Sequence, residues 1–507
     1  MADNDRLAPL WKDTELWSLR QDVNVEMEPD FGLVRIRGRW GDFTVQRPSP
    51  LTREVLSRMS LGPISLRNAV EGHEWEAATE LAVLFDQLQP LIVRSLHLPS
   101  GQPLLSVVPL TVQARFHPVP LATDVPVRMS TFATLSSDGE MYRIESPLAL
   151  HRVVVHRAEA MALIAPLASP ITLAELTATM PEADGLAADV LAYLAAAGMV
   201  VQAQPGDDQR PVFGEECDPA LTGWSAVDMM FHTRSTLGRH DHNFGITYPA
   251  GVTSPPEPVT RPQAAEFVEL HRPRWEELCR TDPPLTVALE GRRSMRGHAA
   301  PVTVTQLGEL LYRTARVRSL IPAGSGRELS DRPYPSGGAC YELEFYVTAG
   351  NCSGLAPGVY HYDPLGHRLE PAGAGTADGA GDELLGCARV AATMHTAPPV
   401  LITMTARFRR LSWKYEGLAY RLVLMHVGVI VQNLYLACTA MRLAPCAIGS
   451  VSIEAAARAF GTDWRTEPCV GQFIVGGSSD DEPGRDPDQW LNVNDAEWAD
   501  LARAALR

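Results

Sequence analysis

The sequence predicts a chain of several domains that mix helices and strands, with two small winged-helix-like modules ahead of a domain of catalytic size. The chain has 507 residues, and at about 150 residues per domain this length predicts two to four domains. The hydrophobic fraction of 45% and the charged fraction of 21% are typical of a globular protein. After Asp282, helical patterns alternate with β-branched strands, which indicates an α/β or α+β domain.

The first module, over residues 15–120, is predicted from one hairpin and two helices. Apolar and polar residues alternate on both sides of Gly38 to Gly41, which indicates two strands joined by a turn. Ser49 is a candidate N-cap for the helix that follows. The pattern of residues 73–96 predicts a longer helix that ends before Pro99.

The second module, over residues 121–205, repeats the order of strand and helices. Residues 151–157 (HRVVVHR) are strand-like, and a helical pattern follows them. The next helix begins after Thr172, with Glu175 three residues on, as in a capping box. Residues 195–201 then lead from the last helix into the strand of a wing.

Residues 206–281 are rich in Pro, Gly and acidic side chains at both ends, and we interpret them as a linker and active-site-flanking segment. Within it, His232, His240 and His242 could place two imidazoles near one ion. We predict no metal site, because no third ligand follows at a recognisable spacing. The catalytic domain is predicted over 282–480, and residues 481–507 as a C-terminal tail or helix.

The net charge limits the classes of binding partner, and the N-terminal residues and the cysteines indicate the cellular compartment. The net charge is −16, so no overall field holds a polyanion, and no nucleic-acid partner is predicted. The first residues lack a basic segment followed by an apolar core, which predicts a cytoplasmic protein. The eight cysteines contain no C-x-x-C pair and are interpreted as reduced, buried thiols.

One stretch, residues 418–443, is apolar enough to raise the question of a membrane span. Arg421, His426 and Asn433 interrupt it, so we predict no membrane partner. Its apolar residues run all round the helix, which predicts a core helix covered on every side by protein.

Two short motifs are candidates for holding a phosphate and a flat ligand. Arg292, Ser294 and Arg296 alternate, so an extended backbone would place two guanidinium groups and a hydroxyl on one side. Arginines on a solvated turn are the alternative. Pro335, Ser336, Gly337 and Gly338 precede a strand, where glycines let the backbone approach a ligand closely or simply form a turn.

Lys414 and Tyr415 are the candidate base element. Lys12 and Lys414 are the only lysines of the chain, and Arg407, Arg409, Arg410 and Arg421 surround the pair in sequence and would favour deprotonation. Adjacent residues do not share a helix face, so both could reach one substrate only from irregular or extended backbone. A surface lysine beside a core tyrosine is the alternative.

A basic strip is predicted on the first hairpin. Arg35, Arg37 and Arg39 recur at period two and so project from one face of a strand. The strip is either a solvated sheet face or a surface that receives an acidic peptide by strand addition.

Five blocks of the second half together resemble the SagB/ThcOx-type azoline dehydrogenases, a branch of the nitroreductase superfamily. These blocks are RRSMR (292–296), RPYPSGGACYELEFYV (332–347), PGVYHYDPLGHRLE (357–370), the run from WKYEGLAYR to PCAIG (413–449) and EPCVGQFIVGG (467–477). The segment FHTRSTLGRH (231–240) also resembles the one that precedes the catalytic domain in long members from cyanobactin and thiopeptide pathways.

This resemblance implies an α+β nitroreductase-like fold, a mixed sheet flanked by helices, and an FMN enzyme. It implies oxidation of thiazolines or oxazolines to thiazoles or oxazoles in a ribosomally made precursor peptide, with a cyclodehydratase as a further partner. Lys414 and Tyr415 match the family's base element, and Arg292, Ser294 and Arg296 match its FMN-phosphate motif. The turn from Pro335 to Gly338 would lie against the isoalloxazine, in a site at a homodimer interface.

Three positions depart from the family pattern, Cys340, Arg442 and Gln472, and they leave substrate preference open. Two alternatives remain. One is an NAD(P)H-dependent nitro- or quinone reductase on the same fold. The other is a non-catalytic protein in which the winged-helix-like modules bind a peptide or DNA.

Overall fold

The computed structural model describes residues 11–28, 32–179, 185–204, 210–249, 256–260, 266–297, 300–322, 328–373, 379–450, 452–477 and 496–506. The chain forms two compact units, Met1–His242 and Asn243–Arg507, called here the N-terminal and C-terminal units. The predicted segment 206–281 is therefore divided between the two units.

The N-terminal unit contains these described elements. Its strands are β1 (Glu15–Leu19), β2 (Asn24–Met27), β3 (Leu33–Gly38), β4 (Gly41–Gln46), β5 (Ile92–His97), β6 (Pro103–Pro109), β7 (Val127–Met129), β8 (Thr134–Ser137), β9 (Tyr142–Glu145), β10 (His151–Val155), β11 (Val200–Gln204) and β12 (Val212–Phe213). Its helices are α1 (Pro50–Leu61), α2 (Leu66–Val70), α3 (Trp75–Gln87), α4 (Ala158–Ile164), α5 (Leu173–Thr179), α6 (Leu186–Ala196), α7 (Gly214–Cys217) and α8 (Ala226–Arg234).

Each predicted module contains three helices, followed in the first by the antiparallel pair β5 and β6 and in the second by β11, whose antiparallel partner β12 lies beyond the predicted end at residue 205. However, β6 also pairs with β10, so one antiparallel sheet in the order β1-β5-β6-β10-β9-β8 runs through both modules. The predicted boundary between residues 120 and 121 therefore does not separate two sheets. The winged-helix-like assignment stays a prediction.

Local signals account for the helix starts. The Ser49 side chain accepts a hydrogen bond from the Thr52 amide at the start of α1, and Thr172 and Glu175 form the capping box before α5. The helix predicted over residues 73–96 is wrong beyond Gln87. Pro90 has no N–H to continue the helix, and the β-branched residues that follow form β5.

The C-terminal unit contains these described elements. Its strands are β13 (Gly245–Ile246), β14 (Val268–Glu269), β15 (Val302–Thr303), β16 (Ser319–Pro322), β17 (Glu328–Asp331), β18 (Leu343–Ala349), β19 (Cys352–Ser353), β20 (Gly358–Asp363), β21 (Arg368–Pro371), β22 (Val400–Ala406), β23 (Tyr415–Glu416), β24 (Leu443–Ile448) and β25 (Cys469–Gly477). Its helices are α9 (Trp275–Thr281), α10 (Leu285–Gly291), α11 (Val304–Ala315), α12 (Ala380–Ala391), α13 (Arg409–Ser412), α14 (Ala419–Ala440), α15 (Ile453–Phe460) and α16 (Ala496–Leu506).

A seven-stranded antiparallel sheet in the order β14-β21-β20-β18-β22-β25-β24 organises this unit. Every residue of β18 and of β22 is buried, because helices cover both faces of the sheet. Helix α14, called here the core helix, packs on one face through Val423, Ile430 and Leu434, and α12 and α15 cover the other. The predicted α+β fold is confirmed, but the described strands of this sheet are all antiparallel, whereas a mixed sheet was expected.

The core helix is not covered on every side, contrary to the prediction. Tyr420, Leu424 and Met425 are 43%, 40% and 58% exposed, so one apolar face is open within the chain. Of the helices that the structure describes, this one has the length and hydropathy of a membrane span, a property shared with core helices of globular proteins. Its opposite face belongs to the main apolar core of the unit.

A buried ionic network crosses the sheet at His361. Its two ring nitrogens lie 2.8 Å from Glu370 Oε1 and 3.0 Å from Glu344 Oε2. Burial alone would lower the pKa of His361, but these two hydrogen bonds raise it to about 9. Burial would raise the pKa of Glu344, but Arg407 and His361 lower it to about 2.

We expect this network to make the stability of the C-terminal unit depend on pH. The raised pKa of His361 stabilises the fold fully below about pH 6.5, and this contribution, on the order of 3 kcal/mol, is lost as the pH rises through about 9. The lowered pKa of Glu344 stabilises it above about pH 4.5, and this is lost as the pH falls through about 2. Urea unfolding of His361→Gln should lack the alkaline loss, whereas exposed His395→Gln should keep it.

Candidate active site

A tight turn, residues 335–341, precedes β18 and is called here the glycine turn. Gly337–Ala339 form a single 3₁₀ turn in which Gly338 has φ of +61°. That conformation favours glycine, since a side chain there is strained. The Tyr341 amide donates a 3.0 Å hydrogen bond to Ser336 Oγ, which closes the turn.

Lys414 and Tyr415 converge on the glycine turn. A Cβ placed on Gly338 would lie 2.5 Å from Lys414 Nζ and 2.8 Å from Tyr415 Oη. Lys414 lies in a turn after α13, and Tyr415 begins β23, so neither is helical. The backbone of Lys414 and Tyr415 is therefore irregular and then extended, which is the condition under which both side chains can reach one point.

Residues 245–248 lie beside this pair. The strand β13 pairs with β23 so that Ile246 is opposite Tyr415, and the Thr247 amide donates a 3.2 Å hydrogen bond to the Lys414 carbonyl. The Tyr248 ring packs edge-on against Trp413 at 5.1 Å. Part of the predicted segment 206–281 therefore does flank the candidate site.

The electrostatics at Tyr415 differ from the expectation. Burial raises the pKa of Tyr415, and Cys340 and Tyr248 add to the effect. The predicted arginines do not offset it, because Arg410 Nε donates to the Cys340 carbonyl and Arg407 Nε lies 2.7 Å from Glu344 Oε1. Tyr415 therefore keeps its proton at neutral pH.

The Arg-x-Ser-x-Arg motif follows α10 with no helix or strand of its own, has an extended backbone at Arg292, and lies against β24 and the core helix. Met295 N donates a 2.7 Å hydrogen bond to the Pro445 carbonyl, and Ser294 Oγ lies 2.7 Å from Tyr435 Oη. The Arg292 guanidinium lies 5.1 Å from the centre of the Tyr435 ring. Among the described residues, neither Arg292 nor Arg296 forms an ion pair, which suits an anion-binding position.

The core helix connects the arginine motif to the glycine turn. His426 contacts the turn and Tyr435 contacts Ser294, and the two residues, nine positions apart, are separated by about 14 Å along the helix axis. The whole FMN molecule, from its ring to its phosphate, is long enough to span that distance. Guanidinium groups that form no ion pair with a described residue lie at one end and a bare glycine backbone lies at the other, so the residues fit FMN.

We expect Arg292→Ala to weaken FMN binding about tenfold or more, because a charge-assisted hydrogen bond to the phosphate is lost. FMN retention through gel filtration and the dissociation constant for added FMN measure this. Arg293→Ala is the matched control, since Arg293 is an exposed arginine of the same segment that stands outside the Arg-x-Ser-x-Arg positions. Equal retention in the two variants would contradict the assignment.

The arginine strip lies on the N-terminal hairpin. Arg35, Arg37 and Arg39 pair with Glu28, Glu26 and Asp22 at 3.4, 3.2 and 2.7 Å. Strand addition to β3 is excluded, because β3 is the central strand of the sheet β2-β3-β4 and both its edges are paired. The side chains of Arg35 and Arg37 remain 47% exposed.

The three histidines of the flanking segment do not form a ligand set. His240 and His242 stack with ring centres 3.6 Å apart, while His232 packs against Trp224. Asp241 between the stacked pair forms ion pairs with Arg20 and Arg152. In the described part of the chain, no group of three or more His, Cys, Asp or Glu could hold a metal ion.

The sequence analysis missed three residues of the site: Glu342, His426 and Tyr435. His426 was noted only as a polar interruption of an apolar helix. That interruption is the available signal, because a buried imidazole requires partners. Neither Glu342 nor Tyr435 has a signal of its own in the sequence.

The fold defines an FMN-dependent oxidoreductase, in which the Lys-Tyr pair is the candidate base element. Residues 289–477 match the nitroreductase family, and the chain is 30% identical over 186 residues to "Putative nitroreductase MJ1384" of Methanocaldococcus jannaschii, covering 36% of this chain and 85% of the relative. The chain belongs to the nitroreductase family.

A second match falls in the N-terminal unit, where residues 127–241 match the cyanobactin oxidase ThcOx family. The microcin B17-processing protein McbC of Escherichia coli is 29% identical over 163 residues, covering 30% of this chain and 56% of that protein. The E. coli microcin synthetase McbBCD complex with truncated pro-MccB17 has a chain 23% identical, with a TM-score of 0.31, covering 44% of this chain and 79% of that chain. The family resemblance found in the sequence is confirmed.

Proposed function

We propose that this enzyme oxidises thiazoline and oxazoline rings of a ribosomally made peptide to thiazoles and oxazoles, with FMN as cofactor. The observation that carries the proposal is the convergence of Lys414 and Tyr415 on Gly338. The ThcOx match and the similarity to McbC, a protein that processes the peptide microcin B17, support this choice among nitroreductase-family activities.

Aromatising an azoline ring removes one proton and one hydride from it. Bound FMN would supply the hydride acceptor, and this chain must supply the base. We assign the ring proton to Lys414 Nζ in its neutral amine form, because burial raises the pKa of Tyr415 and so opposes the phenolate that a tyrosine base requires. The Tyr415 hydroxyl donates a hydrogen bond that holds the ring in place.

The experiment is an assay of the purified protein on an azoline-containing peptide. The released chromophore should be FMN, and the peptide should lose two hydrogens per ring without added NAD(P)H. Rapid flavin reduction by NAD(P)H with no peptide oxidation would favour the nitro- or quinone reductase instead. A protein that takes up no FMN would leave only the non-catalytic peptide- or DNA-binding function.

We further propose a homodimer formed through the open face of the core helix. Tyr420, Leu424 and Met425 expose apolar surface on the same helix whose other residues contact both ends of the flavin site. A second copy that covers this face would bury it and shield the site from water.

Met425→Glu should shift the protein from dimer to monomer in sedimentation at micromolar concentration, because a carboxylate would be buried in an apolar interface. Val390→Glu on α12 is the control, since Val390 is 67% exposed and lies on the other face of the sheet. A monomeric unmodified protein would contradict this proposal.

The N-terminal unit is proposed to bind the precursor peptide, with a cyclodehydratase as a partner in the cytoplasm. Arg35, Arg37 and Arg39 lie on this hairpin in ion pairs with Glu28, Glu26 and Asp22, so an acidic peptide would bind here by displacing those carboxylates.

A further inference from the structure

The core helix holds the glycine turn through one histidine. The Gly337 amide donates a 2.8 Å hydrogen bond to His426 Nε2. His426 Nδ1 lies 2.7 Å from Glu342 Oε1. His426 is 6% exposed and Glu342 is fully buried, so water does not compete for either bond.

These bonds define the state of the imidazole. Since Nε2 accepts the Gly337 N–H, the ring proton is on Nδ1 and is donated to the Glu342 carboxylate. Protonating Nε2 would place two donors face to face. The pair is therefore a neutral imidazole oriented by a buried carboxylate.

Glu342 also reaches the other side of the turn. Ser336 Oγ donates to Glu342 Oε2 at 3.4 Å and accepts the Tyr341 amide at 3.0 Å. Asn433, two helical turns after His426, donates to the Pro333 carbonyl at 3.0 Å. The chain before, within and after the glycine turn is thus tied to one rigid helix.

Space around the turn is limited. A Cβ on Gly337 would lie 3.3 Å from Leu422 Cδ1 and 3.6 Å from His426 Cε1, so the turn rests on the core helix. On its other side, Gly338 faces Lys414 and Tyr415. If the glycine turn moved from the core helix toward Lys414, or the reverse, the distance between the turn backbone and the proposed base Lys414 would change.

We propose that His426, oriented by Glu342, is a positioning residue that fixes the glycine turn against the flavin and directs the Gly337 N–H away from it. This inference rests on the proposed function. Without His426, the Gly337 N–H is released and can donate to the flavin, which changes the reduction potential of the cofactor. A residue that only stabilised the fold would leave that potential unchanged.

The test uses the full chain loaded with FMN and three variants at the pair. His426→Leu removes both hydrogen bonds, His426→Gln can restore an acceptor for Gly337 and a donor for Glu342, and Glu342→Gln keeps the shape without the charge. Cys438→Ala is the control, because Cys438 is fully buried in the same helix and belongs to the apolar core.

The midpoint potential of bound FMN should shift in His426→Leu, shift less in Glu342→Gln and return toward the unmodified value in His426→Gln. kcat for azoline oxidation should fall about tenfold in His426→Leu while KM for the peptide changes less than twofold. Cys438→Ala should lower thermal stability and leave the potential unchanged.

Unchanged FMN potentials in all three variants would overturn the inference. This holds even if the variants lose azoline oxidation, because a loss of activity that only follows the loss of thermal stability does not indicate a positioning role. If His426→Leu does not fold, Glu342→Gln decides it, because a shifted potential in that variant supports the inference and an unchanged potential overturns it. A protein that binds FMN but does not oxidise azolines would overturn the proposed function, while the potentials would still test the role of His426.

Discussion

Lys414→Ala is expected to lower azoline oxidation by about 10²–10⁴-fold while FMN remains bound. General-base catalysis by a positioned side chain contributes on that order, and Tyr415 does not replace the lysine because burial raises its pKa. Single-turnover oxidation of an azoline peptide, followed by mass spectrometry and by flavin absorbance, measures the loss.

The chain provides its own control for this variant. Lys12 is the only other lysine and forms an exposed ion pair with Asp189 in the N-terminal unit. Lys12→Ala should oxidise the peptide at the unmodified rate. Unchanged turnover in Lys414→Ala would remove the proton-transfer role assigned to this residue.

Tyr415→Phe distinguishes the role of Tyr415 from that of Lys414. Loss of one hydrogen bond that orients the ring should cost about tenfold, less than the loss of the base. A larger loss in Tyr415→Phe than in Lys414→Ala would assign the proton to Tyr415 instead.

Gly338→Ala is expected to reduce oxidation by about a hundredfold, since a displacement of about 1 Å at reacting groups has that effect. The added Cβ would lie 2.5 Å from Lys414 Nζ and 2.8 Å from Tyr415 Oη, and the φ of +61° is strained for alanine. Both side chains must move away from their present positions beside Gly338.

The matched control is Gly386→Ala in α12. A Cβ there meets nothing within 4 Å, and alanine favours the helix by about 1 kcal/mol. Its activity should equal that of the unmodified chain, with a slightly higher melting temperature. If Gly338→Ala oxidised the peptide as fast as the unmodified chain, Lys414 and Tyr415 would not act at the glycine turn.

Part of the fold follows from local rules that the sequence displays. The hairpin around Gly38 and Gly41 and the capping box of Thr172 and Glu175 form as predicted, because turn and capping preferences act over a few residues. The α+β pattern after Asp282 also follows, since periodicity reports which faces are buried.

Long-range pairing could not be predicted in this way. Nothing in the sequence indicates that β6 pairs with β10 across the predicted module boundary, or that β13 pairs with β23 beside Lys414. The alternation of apolar and polar residues indicates that a segment is a strand. The strand that it pairs with is selected by contacts between residues distant in the chain.

The sequence by itself determined the residue types of the site, the family and the chemistry they imply: the Lys-Tyr pair, the glycine turn and the Arg-x-Ser-x-Arg motif. Only the tertiary structure decided which of them meet. It placed Lys414 and Tyr415 on Gly338, and it raised the pKa of Tyr415 where the neighbouring arginines predicted the opposite. It also oriented the glycine turn through His426 and Glu342, 84 residues apart. The physical reason is that burial and hydrogen-bond partners set the protonation and position of a side chain, and both depend on the packed fold.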